Sequence, residues 1–180
     1  MKKLLCIVPL VLLFCFTVAC QDKAAMAELE KFKAQAKVEE QNKELVRNFF
    51  AEIDKGNLDR VKELVADDFA LYAPGLTEPW GVAELIQDIK AFYTAFPDNT
   101  HRIEDIISEG NKITVRLTSS GVQKGEYAGI PATGKKVTYS AIHMMAIGDG
   151  KIKEFWALED TLGIMTQLGM ELKPIASKKK

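Results

Sequence analysis

Past residue 20 the chain contains no cysteine; its three cysteines are Cys6, Cys15 and Cys20. A thiol nucleophile, a cysteine-based zinc site and an internal disulfide are thereby excluded from residues 21–180, so a fold there stands on its hydrophobic core alone. Histidine is almost as scarce. His101 and His143 are the only two, neither sits at ligand spacing with a carboxylate pair, and no metal is expected. No serine occupies a Gly-x-Ser-x-Gly elbow, which removes the common hydrolase nucleophile. An excess of one charge is also lacking: 24 Lys and Arg against 25 Asp and Glu leave a net charge of -1. Without a basic footprint, nucleic acid is not expected as a partner. The phosphate loop is missing too, although "GIPATGKK" comes close with Gly129, Gly134 and Lys135 at the right spacing. Lys136 stands where Ser or Thr would hold magnesium, Pro131 removes an amide from the cradle, and a β-rich run follows instead of a helix. The segment reads as a strand-connecting loop, and no cofactor is expected.

Long hydrophobic runs are confined to the amino terminus. Lys2 and Lys3 precede an apolar stretch from Leu4 to Val18 and the small Ala19, the layout of a secretory signal with a core shorter than the ~20 residues of a comfortable helical span. Its ending "TVAC" resembles the bacterial lipobox, with Thr17 in place of the usual leucine. The expectation is cleavage after residue 19 and lipidation (palmitate among the acyl chains) of Cys20, several chains holding the protein stably at a membrane surface. Gln21 after the cysteine implies, for a Gram-negative cell envelope, the periplasmic face of the outer membrane.

What remains is enough for one domain: 180 residues in all, 47% hydrophobic. Residues 20–41 form a polar, helix-prone tether without Gly or Pro, carrying a weak stripe of Met26, Leu29, Phe32 and Ala36. Residues 42–170 form the domain, and 171–180 a basic tail. Leu45, Val46, Phe49, Phe50 and Ile53 fall at helical spacing, and Lys55-Gly56 stops that helix. Asn57 is placed to cap a short second helix through Val65. "DFALYAPG" reads as a strand. Val82, Leu85, Ile86, Ile89, Phe92, Tyr93 and Phe96 mark a third helix closed by Pro97. The period then changes to two: 101–108, 112–120, 137–147 and 152–158 are β-rich runs, and 161–168 a closing helix. Helices first and strands after give an α+β fold, a curved antiparallel sheet wrapped on three helices.

The open end of such a sheet is a natural apolar pocket. Candidate lining residues are Tyr72, Trp80, Phe92, Tyr93, Phe96, Tyr127, Met145, Phe155 and Trp156, with Arg116 or Tyr127 able to polarise a carbonyl. Proton chemistry is what the residue inventory permits. His143 sits among apolar neighbours in "AIHMMAI", as base or hydrogen-bond donor. Glu159 and Asp160 close the last strand, either as acids of raised pKa or as residues that merely end it.

Three stretches, "NKELVRNFFAEIDKGNLDRVKELVADDF", "GEYAGIPATGKKV" and "GDGKIKEFWALEDTLGIMTQLG", are together similar to the SnoaL-like polyketide cyclase (ester cyclase-like) family, within the NTF2-like cone fold. The resemblance implies a cone with three amino-terminal helices, dimers through the sheet, and cofactor-free aldol ring closure by an aspartate and a histidine. Aligned on "DGKI", that histidine falls on His143 and that aspartate on Ala157. Broader members of the family often carry histidines at the positions of Gln123 and Phe155, and Asp160 matches an acid found there. The β-turn at "GDG" decides which acid can replace the lost one. A two-residue turn puts Glu154, Leu158 and Asp160 on the face of His143; one more loop residue, with a bulge at Gly150, puts Phe155, Ala157 and Glu159 there. The family's shared site favours the second. Two readings of function stay open: an isomerase, cyclase or hydratase of a small apolar or carbonyl-bearing molecule, and a lipoprotein that only binds such a ligand or a protein.

Overall fold

A computed structural model describes residues 7–171 and 173. The chain falls into two compact units that divide between Glu40 and Gln41. One helix, α1 (Ile7–Asp54), takes in both the expected tether and the first helix of the domain, because nothing from Gln21 to Gln41 is a helix breaker. In the first unit Met26, Leu29, Phe32 and Val38 are all exposed. Among the described residues no helix is long and apolar enough to cross a membrane. The first six residues, the side chain of Cys20 and all of the basic tail except Glu171 and Lys173 lie outside the described residues, and with them the expected lipidation.

In the second unit the 3.6-residue stripe of α1 does what its spacing implies: Val46, Phe49, Phe50 and Ile53 are buried. Each such side chain contributes about 1.5–3 kcal/mol by leaving water. Gly56, at φ 71, ends the turn after α1. Helix α2 spans Leu58–Leu64. Asn57 stands at its N-cap position but makes no side-chain cap bond; its Nδ2 donates instead to Glu52 Oε2 at 2.8 Å. Val65, expected to close α2, opens strand β1 (Val65–Tyr72). Helix α3 (Val82–Ala95) follows, its Glu84 accepting from the Gly81 amide at 3.1 Å. Strands β2 (Thr100–Glu109), β3 (Lys112–Val122), β4 (Lys136–Gly148) and β5 (Lys151–Glu159) and helix α4 (Thr161–Leu168) complete the order.

The five strands make one curved sheet, ordered β1-β5-β4-β3-β2. Pairing is antiparallel from β2 to β5, as expected, but β1 joins β5 in parallel. Three strands and α3 separate β1 from β5 in the chain, ample length for the crossover that parallel pairing needs. Along β3 and β4 the odd-numbered residues are buried and the even-numbered ones face outward.

The hairpin between β4 and β5 fixes the site. Asp149 (φ 54) and Gly150 (φ 72) form a two-residue turn with both central residues at positive φ, the geometry that matches strand twist. It pairs Gly148 with Lys151 and Ile147 with Ile152. The register then slips by one, Ala146 pairing with Glu154, so Lys153 is the extra residue of a bulge. The bulge expected at Gly150 thus lies three residues later, inside β5. Its effect on parity is the same: His143 pairs with Ala157 and Ala141 with Glu159.

Candidate functional site

The inner face of the sheet and the helices enclose a cavity of about 550 Å³. Helix α1 supplies Phe49, Phe50 and Ile53; α3 supplies Leu85, Asp88, Ile89, Phe92 and Tyr93; the strands supply His101, Tyr139, His143, Phe155, Ala157 and Glu159. Trp80 is brought over the cavity by a two-way backbone bridge, Leu71 N–H to Trp80 O at 2.8 Å and Trp80 N–H to Leu71 O at 2.9 Å. No lysine or arginine lines it among the described residues. This is the usual make-up of a small-molecule site, apolar walls with a few convergent polar groups.

His143 is 2% exposed, packed edge-on against Phe155 at 4.9 Å and stacked on Phe50 at 5.8 Å between ring centroids. Its Nδ1 has no hydrogen-bond partner. Burial, helped by the nearby His101, pushes its pKa down to about 3, so the ring is neutral at physiological pH. Its Nε2 lies 4.0 Å from Glu159 Oε1. Glu159 is next along the same face, and burial raises its pKa, His101 opposing and Asp88 adding to the effect. Asp88, on α3, is itself raised by burial. Two carboxyls with upward-shifted pKa values thus line the cavity that also holds a neutral imidazole.

A second polar group enters from α1. Asp54 Oδ1 is 2.6 Å from His101 Nδ1, Asp54 Oδ2 accepts the His101 amide at 3.0 Å, and the Tyr93 hydroxyl donates to Oδ1 at 2.9 Å. Burial works to raise the Asp54 pKa, but the bonds from His101 and Tyr93 and the attraction of the imidazole outweigh it and hold the carboxyl below its usual range. Burial and the Asp54 charge push the Tyr93 phenol up, so it stays a donor. Sequence reasoning missed Asp54, Asp88 and His101 as site residues. A signal existed for the acids: Asp54 follows Phe50 by four residues and Asp88 follows Leu85 by three, which places both on the apolar stripes of their helices.

Of the expected lining residues, Trp80, Phe92, Tyr93 and Phe155 border the cavity. Met145 faces inward but is wholly buried in the main core. Phe96 and Tyr127 pack instead in a satellite core with Ile164 and Leu168 of α4, their rings 5.2 Å apart. Tyr72, Arg116 and Trp156 are on the other face of the sheet. Strand parity puts them there, Arg116 opposite Ile142 and Trp156 opposite Met144. Arg116 Nε donates to Asp105 at 2.8 Å, and Tyr72 stacks on Trp156 at 5.2 Å. Asp160 reaches the cavity rim, and its Oδ1 accepts the Gly163 amide at 2.8 Å as the N-cap of α4. Gln123 anchors the loop after β3: it accepts from Thr133 N at 3.0 Å and Oγ1 at 2.6 Å and donates to Ile130 O at 3.0 Å.

Residues 44–168 match the family model described as SnoaL-like polyketide cyclase. The aklanonic acid methyl ester cyclase DauD of Streptomyces sp. (strain C5) is 33% identical over 133 residues, covering 70% of this chain and 80% of the relative. The nogalonic acid methyl ester cyclase of Streptomyces nogalater is 28% identical over 120 residues, 63% of this chain and 87% of the relative. Among solved structures, TsrD of Streptomyces laurentii superposes with a TM-score of 0.65 at 26% identity, covering 72% and 95% of the two chains. AclR of Streptomyces galilaeus, at 21% identity, shares the fold with a TM-score of 0.68 over 73% and 97%. The chain belongs to the SnoaL-like polyketide cyclase family and has its NTF2-like fold.

Proposed function

We propose that the cavity binds a small apolar, carbonyl-bearing molecule and cyclises or isomerises it by proton transfer without a cofactor. One observation carries this reading: a neutral imidazole and a carboxyl of raised pKa stand 4.0 Å apart in an apolar cavity of about 550 Å³. Glu159, its pKa raised by burial, gives a proton to the oxygen on which charge develops, and neutral His143 hydrogen-bonds beside it. The methyl ester cyclases among the relatives support a carbonyl-rich ester as substrate class. Lipidation at Cys20 and a place in the cell envelope belong to the same proposal and rest on "TVAC"; radiolabelled palmitate that stays on the wild type and not on Cys20→Ser tests them. A homodimer through the outer sheet face is favoured by exposed Ile142, Met144 and Leu158 beside the Tyr72–Trp156 stack, and sedimentation of Met144→Glu against wild type tests it.

A second reading, a ligand carrier without chemistry, is favoured by Ala157, which leaves the position opposite His143 without a carboxyl. Incubation with aklanonic acid methyl ester in D2O separates the two. Cyclised product or deuterium at the carbon next to a carbonyl, lost about 100-fold or more in Glu159→Gln, supports the enzyme. Binding of the ester with neither change supports the carrier.

A further inference from the structure

Two histidines border one cavity, and their surroundings are opposite. His143 has no partner at Nδ1 and apolar rings on both sides. His101 has Nδ1 2.6 Å from a carboxylate that also grips its own backbone amide at 3.0 Å and is steadied by the Tyr93 hydroxyl at 2.9 Å. Phe50 touches both imidazoles, at 5.3 and 5.8 Å between centroids, so the two rings flank the same space. We propose that His101 is the base that removes a carbon-bound proton in this cavity, with Asp54 and Tyr93 as the residues that position it. The inference rests on the proton-transfer reading above and extends it to residues outside the His143–Glu159 pair.

The chemistry follows from which nitrogen is occupied. An ionised carboxylate only accepts hydrogen bonds. A 2.6 Å contact to Nδ1 therefore places a proton on Nδ1, and in the neutral ring the lone pair is then on Nε2. Among the described residues no hydrogen bond engages Nε2, and the ring lines the cavity. Asp54 then serves twice: it fixes the tautomer, and it stabilises the imidazolium that forms. It is placed by a helix, four residues after Phe50, and bonded through both oxygens, so the imidazole has little freedom to turn.

In the step itself the C–H bond beside one carbonyl breaks and its proton goes to His101 Nε2. The electron pair left on carbon forms the bond to a second carbonyl carbon, whose π pair moves to its oxygen. That oxygen takes the proton of the Glu159 carboxyl. The imidazolium then loses a proton to water and the glutamate regains one, so the net change is a rearrangement and requires no oxidant, reductant or second substrate.

A purely structural role, in which the pair ties the end of α1 to the start of β2, predicts something different, and kinetics on the full-length protein with aklanonic acid methyl ester separates the two. His101→Gln is expected to lose cyclisation and α-carbon deuterium exchange about 100-fold or more with its KM for the ester unchanged. Asp54→Asn, which keeps the side-chain shape, is expected to lose roughly 10-fold in kcat, again at constant KM, the signature of a positioning residue. Retention of exchange within threefold of wild type in folded His101→Gln overturns the proposal. A wild type that neither exchanges nor cyclises the ester refutes the cyclase reading, and the assignment of His101 then rests on its reaction with diethyl pyrocarbonate. Carbethoxylation of His101 at least tenfold faster than of His143, blocked by anthraquinone in the cavity, supports it; an unreactive His101, or one that anthraquinone does not protect, overturns it.

Discussion

Replacing His143 by leucine removes an acid sensitivity that the fold carries at this one side chain. The ring is 2% exposed, its Nδ1 has no partner, and burial holds its pKa at about 3 against an ordinary value of 6.5. A folded pKa below the unfolded one means that the unfolded chain binds the extra proton first. Stability from keeping this histidine neutral is complete above pH 6.5 and falls as pH drops from 6.5 toward 3. The slope approaches about 1.4 kcal/mol per pH unit below pH 6.5, so wild type loses about 2 kcal/mol between pH 6.5 and 4.5 from this group, a large share of the roughly 5–15 kcal/mol of a typical domain. Glu159 and Asp88, whose pKa values are raised, work in the opposite direction, and Asp54, whose pKa is lowered, adds loss on the acid side. All three persist in His143→Leu, so the difference between the two proteins isolates the histidine. Urea unfolding followed by tryptophan fluorescence at pH 7.5, 6.5, 5.5 and 4.5 measures it. The variant is expected within about 1.5 kcal/mol of wild type at pH 7.5, since the swap is close in volume, and to be the more stable of the two at pH 4.5. Parallel pH profiles for the two proteins would refute the assignment of a buried, neutral imidazole.

Asp160→Ala is expected to cost about 1 kcal/mol through loss of the α4 cap, and Asp160→Asn close to nothing, because both Asp and Asn cap well; activity in Asp160→Asn as low as in Glu159→Gln would return the acid role to Asp160. Gly125→Ala is expected to lower stability by roughly 1–3 kcal/mol, measured by thermal unfolding, since an added Cβ would lie 2.5 Å from the Thr94 carbonyl oxygen where Lys124 and Gly125 donate to Ala95 O; an unchanged Tm would show that this close approach of backbones is relaxed at no cost.

The layers of the fold were legible because hydrophobic period reports burial directly. Phe49, Phe50 and Ile53 on α1, Leu85, Ile86 and Ile89 on α3, and the alternation through β3 and β4 all bury as their spacing implies. Residue type alone was a poorer guide to the cavity. Phe155 and Trp156 are neighbours in a strand and cannot share a face; only the register decides that Phe155 looks in and Trp156 out. Arg116 fails for the same reason, its even number in β3 sending it to the outer face. Asp54 and His101 were out of reach for another reason: 47 positions separate them in the chain, and no local pattern says that the end of α1 meets the start of β2. What brings them together is the return of the chain through α2, β1 and α3, a property of topology and not of any single segment.

The site therefore depends on two kinds of information that differ in robustness. The pairing of Asp54 with His101 is held by three hydrogen bonds from two further elements, β2 and α3. The pairing of His143 with Glu159 depends on a single count. Asp149 and Gly150 form the tightest turn available, which by itself would set Trp156 opposite His143; the one extra residue at Lys153 moves Ala157 there and brings Glu159 onto the inner face. In a strand of period two, one inserted residue inverts every side chain beyond it. The same bulge that turns Glu159 inward turns Trp156 and Leu158 outward to join Tyr72, Ile142 and Met144. The inward turn of Glu159 and the apolar surface on the opposite face are thus one event, not two.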